Sequence, residues 1–210
     1  MTADTFSFGG DSQVARDVHH ASQRAAIALA DQIECALLAC DHDSRLLYVN
    51  REGRRALVEG NAVTLVGDRV QCAAASHCEW SAAVRNAAIN HRCRLFWVGS
   101  HDDRTMVIAM PIAIEGSLNP TAMVMLSRKS VCSKLGMELL ASRHELTFAE
   151  RRVFGALVGN TTPREIAAMH GVTVATIRTQ IQSVREKLGV RSTDALMLRA
   201  AEVPPITSWK

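Results

Sequence analysis

No apolar stretch in this sequence runs unbroken for the roughly 18–20 residues of a membrane span, so a helical integral membrane protein is excluded. The first residues, Met1 to Asp11, are acidic and lack a basic segment followed by an apolar run, which is not the pattern of a secretion signal. A cytoplasmic protein with no membrane partner is the expectation. The six cysteines, Cys35, Cys40, Cys72, Cys78, Cys93 and Cys132, are unevenly spaced and include no Cys-x-x-Cys pair. They read as buried thiols of a reducing compartment rather than as disulfides or zinc ligands. Cys72, His77 and Cys78 lie close together, but no fourth ligand has a suitable spacing, and no metal is expected. A glycine-rich phosphate loop, a nucleophile elbow and paired catalytic carboxylates are also missing, so no enzyme is expected, and no catalytic residue or cofactor is assigned.

What is present is an ordinary globular composition, 48% hydrophobic and 21% charged over 210 residues, enough for a real core and long enough for two small domains. The net charge of +3 is unevenly placed. Met1 to Leu146 carries 15 Lys and Arg against 16 Asp and Glu, whereas Thr147 to Lys210 carries 9 against 5. A local basic excess suits a polyanion-binding module, because neutralised phosphates release counterions.

From Thr147 onward the sequence is punctuated for four helices. Thr147 and Glu150 stand three apart, as a capping box requires, and open a first helix to about Val158. Thr162-Pro163-Arg164-Glu165 repeats the device, with proline at the first helical position, where its missing N–H costs nothing. Gly171 ends that short second helix, and Thr173 caps a third from Val174 to Leu188, closed by Gly189.

On the third helix Ile177, Ile181, Val184 and Leu188 fall on one stripe at a period of 3.6 and must pack inward. The opposite face carries Ala175, Arg178, Thr179, Gln182 and Glu186. Alone, such a pattern describes any amphipathic surface helix. Two short helices joined through a glycine turn, with Ala167 small enough for a close crossing and Ile177 in the core, form a helix-turn-helix. A face of small, hydrogen-bonding and cationic side chains can then enter a major groove, where Arg pairs with guanine and Gln with adenine.

These residues carry a resemblance. Leu146-Thr147, Glu150, Val153, Glu165-Ile166-Ala167, Gly171-Val172-Thr173, Thr176-Ile177-Arg178, Ile181 and Lys187-Leu188-Gly189-Val190 resemble the C-terminal domain of LuxR/FixJ/NarL-type regulators, over Leu146 to about Ala201. The resemblance implies a four-helix DNA-binding domain over 146–203. It makes Arg178, Thr179 and Gln182 base readers, and Thr176, Gln180, Arg185 and Lys187 mainly phosphate contacts. A fourth helix, Thr193 to about Ala201, often pairs two such domains. Gln180 stands where the family commonly has histidine, and Val174 where it commonly has an acidic or polar residue, so the operator sequence does not follow from it.

Ahead of this domain, Val14, Val18, Ala21, Ala25, Leu29 and Ile33 form a helical stripe within residues 1–34, for packing on the domain or on a second subunit. Short apolar runs of strand length follow: Cys35 to Cys40, Leu46 to Val49, Arg94 to Val98, Met106 to Ile114 and Ala122 to Leu126. Helical stretches intervene at Arg51 to Glu59 and about Cys78 to Asn90. The expectation for 35–130 is an α+β domain with a five-stranded antiparallel sheet, joined by a linker, 131–145, to the all-α domain.

The run ALLACDHDSRLLYVNREGRRAL resembles the opening of a PAS domain, with two strands meeting at an Asp-containing turn and Asn50 starting a helix. That resemblance implies a sensory or dimerising module, either enclosing a small-molecule effector or filled by its own core. A phosphoreceiver is disfavoured because Asp41 and Asp43 are followed by a strand. An acyl-homoserine-lactone receptor is disfavoured because Tyr48 is the only tyrosine. Asn90-His91-Arg92-Cys93-Arg94-Leu95-Phe96 is superficially similar to the flavin-adduct motif of light-sensing PAS domains, but it lacks the Gly-Arg-Asn opening and leads into a strand. Cys93 is expected to be a buried structural thiol.

The expected protein is therefore a homodimeric transcription regulator that binds double-stranded DNA. The alternative is a signalling adaptor whose helical C-terminal domain binds a protein partner, and such a groove would want apolar anchors where Arg178 and Gln182 stand.

Overall fold

The computed structural model describes residues 11–72, 76–99, 104–114, 118–127 and 130–207, with side chains from residue 18 onward. The acidic start of the chain and the side chain of Val14 lie outside the described residues.

The chain begins with α1 (Asp11–Ala30) and enters an α+β region: β1 (Ala36–Asp41), β2 (Leu46–Val49), α2 (Arg51–Glu59), β3 (Val63–Val66), β4 (Arg69–Cys72), α3 (His77–Asn90), β5 (Arg94–Val98), β6 (Thr105–Ile112) and β7 (Thr121–Leu126). Five strands form one antiparallel sheet in the order β2-β1-β7-β6-β5, as the five apolar runs predict. A second small sheet, the β3-β4 hairpin, lies outside the five expected strands.

The period of two in these strands sends Leu38, Cys40, Phe96, Val98, Val107, Ala109, Val124 and Leu126 to one face, where they pack against Trp80, Val84 and Ala87 of α3 and Val63 and Val70 of the hairpin. The space between sheet and helix is thus filled by side chains. Trp80 meets Phe96 edge to face at 6.2 Å, and its indole N–H donates to Ser44 Oγ at 3.2 Å.

Asn50 is fully buried and caps α2. Its Oδ1 accepts from the N–H groups of Gly53 (2.8 Å) and Leu37 (2.9 Å), and its Nδ2 donates to the carbonyls of Ala30 (3.0 Å) and Cys35 (2.9 Å). One side chain therefore ties the end of α1, the start of β1 and the start of α2. Asp31 reinforces the junction by pairing with Arg54 at 3.0 Å.

The segment 131–145, expected as a linker, contains α4 (Lys134–Arg143), capped by Ser133. Cys132 and Ala141 are buried against the helices that follow. Those are α5 (Phe148–Val158), α6 (Pro163–His170), α7 (Val174–Lys187) and α8 (Thr193–Ala201). Both capping boxes form, at Thr147/Glu150 and Thr162/Glu165, and Gly171 takes the left-handed conformation (φ 65°) that turns the chain from α6 into α7. Val153, Leu157, Ile166, Ala167, Ile177 and Ile181 form one apolar cluster, and Leu146, Phe154, Val184, Leu188, Leu196 and Ala200 belong to a second.

After α8 the chain returns to the connector between α1 and β1. Glu34 N–H donates to the Pro205 carbonyl and Thr207 N–H to the Gln32 carbonyl, both at 2.8 Å, with Ile33 opposite Ile206. Among the described residues no helix is long and apolar enough to cross a membrane.

Candidate nucleic-acid interface

The α7 helix is held on two sides. Its stripe of Ile177, Ile181, Val184 and Leu188 is buried, in contact with α5, α6 and α8. A second line, Gln180, Ser183 and Lys187, follows at steps of three and four and runs along the edge of that stripe. On this line Ser183 Oγ donates to Glu150 Oε1 at 2.7 Å, and Lys187 Nζ donates to Glu150 Oε2 at 2.7 Å and to the Glu145 carbonyl at 3.1 Å. Glu150 thus acts twice, since Oε2 also accepts from Thr147 N–H at 2.6 Å in the capping box.

The Glu150 carboxyl is held at a pKa of about 2. Burial alone would raise it. The hydrogen bonds from Lys187, Ser183 and Thr147 outweigh that cost and keep it charged.

Lys187, expected against a phosphate, has its ammonium on two acceptors within the bundle, and its side chain is one-third exposed.

Arg178, Thr179 and Gln182 all lie exposed on the outward face with Ala175 and Glu186. Thr179 Oγ1 donates back to the Ala175 carbonyl at 3.1 Å. Gln182 Nε2 donates to Glu186 Oε1 at 2.7 Å, so Gln182 must exchange this bond to reach a base edge. Thr176 is exposed at the helix start, its hydroxyl 2.9 Å from the capping Thr173 hydroxyl. Gln180 and Arg185 are half-buried on opposite flanks, and Arg185 Nε is buried with no acceptor among the described residues. Arg164, in the first turn of α6 beside its capping box, is an exposed cation not among the expected DNA contacts.

The thiols divide. Cys40, Cys72 and Cys132 are buried, and burial pushes Cys40 up to about 12 and Cys72 up to about 11, which leaves both unreactive. Cys78 and Cys93 are exposed and Cys35 is half-buried, contrary to expectation; Cys93 precedes β5 at the edge of the sheet on the side away from the core. Among the described residues no three His, Cys, Asp or Glu side chains come together as a metal site. One cavity of about 310 Å³ opens where α2 meets the ends of β1, β6 and β7, lined in part by Glu34, Ala36, Glu52, Thr105 and Ser127.

No family model matches the chain, and no curated protein sequence matches it. Solved structures with a similar chain course include phage VqmA with DPO (18% identity, TM-score 0.41, covering 91% of this chain and 94% of that one). A Vibrio cholerae VqmA–ligand–DNA complex follows (18%, 0.39, 86% and 89%), as does a Rhodobacter sphaeroides LOV protein (14%, 0.35, 84% and 90%). At these values none of the three bears on function, which rests on the residues and their geometry.

Proposed function

We propose that this chain is a sequence-specific DNA-binding transcription regulator that acts as a homodimer, with α5–α8 a LuxR-type helix-turn-helix domain and residues 35–130 a PAS-like sensory or dimerisation module. The observation that carries the reading is α7. One face is fixed by buried Ile177, Ile181 and Val184, and the opposite face offers Arg178, Thr179 and Gln182 to solvent with no apolar anchor among them. A helix so held can enter a major groove without rearranging its core. The adaptor reading would need large apolar side chains at those positions.

In this reading Arg178, Thr179 and Gln182 contact bases, while Thr176, Gln180 and Arg185 contact phosphates. Arg164 joins them, since the first helix of such a pair crosses the DNA backbone. A two-fold dimer would set two α7 helices about one DNA turn apart, roughly 34 Å. The filled space between sheet and α3 favours a dimerising over a ligand-enclosing role for the front module, and a small-molecule effector would use an open site such as the cavity beside α2.

The expected result is binding of the full chain to duplex DNA with strong salt dependence. With six or more phosphates contacted by a dimer, affinity should fall about a thousandfold between ~50 and ~200 mM salt. Fluorescence anisotropy with a random-sequence duplex across a salt series measures this. Salt-independent binding, or none at the lowest salt, would contradict the reading.

A further inference from the structure

Two chain passages join the α4–α8 bundle to the front module. One is covalent and leaves the sheet after β7. The other is the return after α8, where Glu34 N–H donates to the Pro205 carbonyl and Thr207 N–H to the Gln32 carbonyl, both at 2.8 Å. Thr207 Oγ1 adds a bond to the Asp31 carbonyl at 3.3 Å. Glu34 and Ser130 line the same cavity, so the two passages run side by side. A single passage leaves a domain free to swivel, whereas two restrict it to a hinge about the line that joins them. Pro204 and Pro205, with φ fixed near ~−65°, stiffen the return.

Both ends of this return are anchored. On the front module it rests on the connector between α1 and β1, which Asn50 grips on either side through the Ala30 and Cys35 carbonyls and which Asp31 ties to Arg54. On the bundle, Val203 packs at Gly136 of α4, where a Cβ would stand 2.6 Å from Val203 Cγ1. The far end of α4 is bound in turn to the last turn of α7. His144 Nδ1 donates to the Lys187 carbonyl at 2.9 Å, and Lys187 Nζ donates to the Glu145 carbonyl at 3.1 Å. Connector, return, α4 and α7 thus form one continuous run of contacts. Arg178, Thr179 and Gln182 stay exposed, so the return sets where the reading face stands without covering it.

We infer that residues 204–207 are a positioning strap that fixes the angle of α7 relative to the front module, and through it the spacing between half-sites that the dimer accepts on DNA. This rests on the reading of the chain as a dimeric DNA-binding regulator and names what sets its spacing preference. Base contacts by Arg178 and its neighbours choose a half-site. The distance between two half-sites follows instead from how rigidly each α7 is held. A bundle on a free swivel would reach many spacings, each weakly, because the swivel must be ordered on binding. A strapped bundle is ordered beforehand and binds one spacing well and others poorly. Two backbone hydrogen bonds, each worth roughly fivefold in the closed-to-open ratio, keep the strap closed in most molecules. Ile33 and Ile206 face each other across it as a non-hydrogen-bonded antiparallel pair. Cα atoms of such a pair stand about 4.5 Å apart, within reach of a disulfide.

The test compares duplexes selected by the full chain from a random pool with the same duplexes carrying about five extra base pairs between the half-sites, which turn one half-site by half a DNA turn. Wild type should bind the lengthened duplex about a hundredfold more weakly than the selected one. A chain ending at Val203 should match wild type on a duplex with one half-site, yet separate the two spacings by less than about fivefold. Thr207→Pro removes one of the two backbone donors without touching the bundle, and reads the same loss in the full-length chain if the shorter one melts early. The strap is closed covalently by Ile33→Cys with Ile206→Cys in a Cys35→Ser, Cys78→Ser, Cys93→Ser background. The oxidised chain should keep wild-type affinity and spacing discrimination. Full discrimination by both the Val203-ended chain and Thr207→Pro would overturn the strap while leaving the regulator reading intact. Loss of binding to the selected duplex on oxidation would do the same, because the strap would then have to open for DNA. A wild-type chain that enriches no sequence, or only a single half-site, would overturn both.

Discussion

Replacing Glu150 by Gln is expected to destabilise the C-terminal bundle by about 3 kcal/mol at neutral pH and to remove most of its acid sensitivity. The folded carboxyl titrates at about 2, against about 4.3 for an unperturbed glutamate. A folded value below the unfolded one means that the carboxylate's contribution is fully present above pH ~5 and is lost as pH falls towards about 2. Somewhat more than two units at 1.36 kcal/mol each gives the ~3 kcal/mol expected. Lys187→Ala should cost a comparable amount, because it strands a buried carboxylate whose remaining partners are Ser183 and the Thr147 cap. The two substitutions together should cost much less than their sum. Urea unfolding of the two single variants and the double variant between pH 2 and 7 reads all of this. If Lys187→Ala leaves stability unchanged and only weakens DNA binding, the ion pair is incidental and Lys187 belongs on the phosphates.

Asn50→Ala should cost the front region about 3–4 kcal/mol and free α1. This buried side chain accepts two hydrogen bonds and donates to the carbonyls of Ala30, Ile33 and Cys35, and its loss leaves the Leu37 N–H needing a new partner. A buried group so stranded costs about 1–3 kcal/mol. Asn50→Asp separates the cap from the clamp: both acceptor bonds survive, but a carboxylate oxygen then faces the carbonyls of Ala30 and Cys35. Limited proteolysis should cut both variants between α1 and β1 well before wild type. Equal resistance in all three would mean that Asp31 and the tail hold the junction without Asn50.

The parts of this fold legible in the sequence are those with local chemical signatures. α5 and α6 start where a Thr and a Glu stand three apart, α7 starts at a capping Thr173, and α6 ends where Gly171 supplies the left-handed turn. The five strands of the main sheet are short apolar runs of the right length. The β3-β4 hairpin escaped notice because its strands have four residues each and Arg69 and Gln71 break the apolar run, although Gly67 at φ 63° marks its turn. Long-range pairings are another matter. The outward face of α7 follows from a period of 3.6, but Ser183 and Lys187 acquire meaning only once α5 brings Glu150 alongside. The same holds for Cys93, whose exposure depends on β5 being an edge strand, and for the tail, whose partner at Gln32–Glu34 lies far away in sequence.

Base reading by α7 is decided by the specificity of Arg178→Ala. Duplexes that bind the full wild-type chain are first selected from a random pool, and affinities for the selected and scrambled sequences are then compared across a salt series. Arg178→Ala should lose ~1–3 kcal/mol on the selected duplex and much less on the scrambled one, with an unchanged melt, because Arg178 lies exposed and away from Ile177 and Ile181. Arg164→Ala is the comparison: it should weaken both duplexes by a similar factor and lower the salt slope by about one. If Arg178→Ala weakens both duplexes equally, or if no sequence is enriched from the pool, α7 does not read bases.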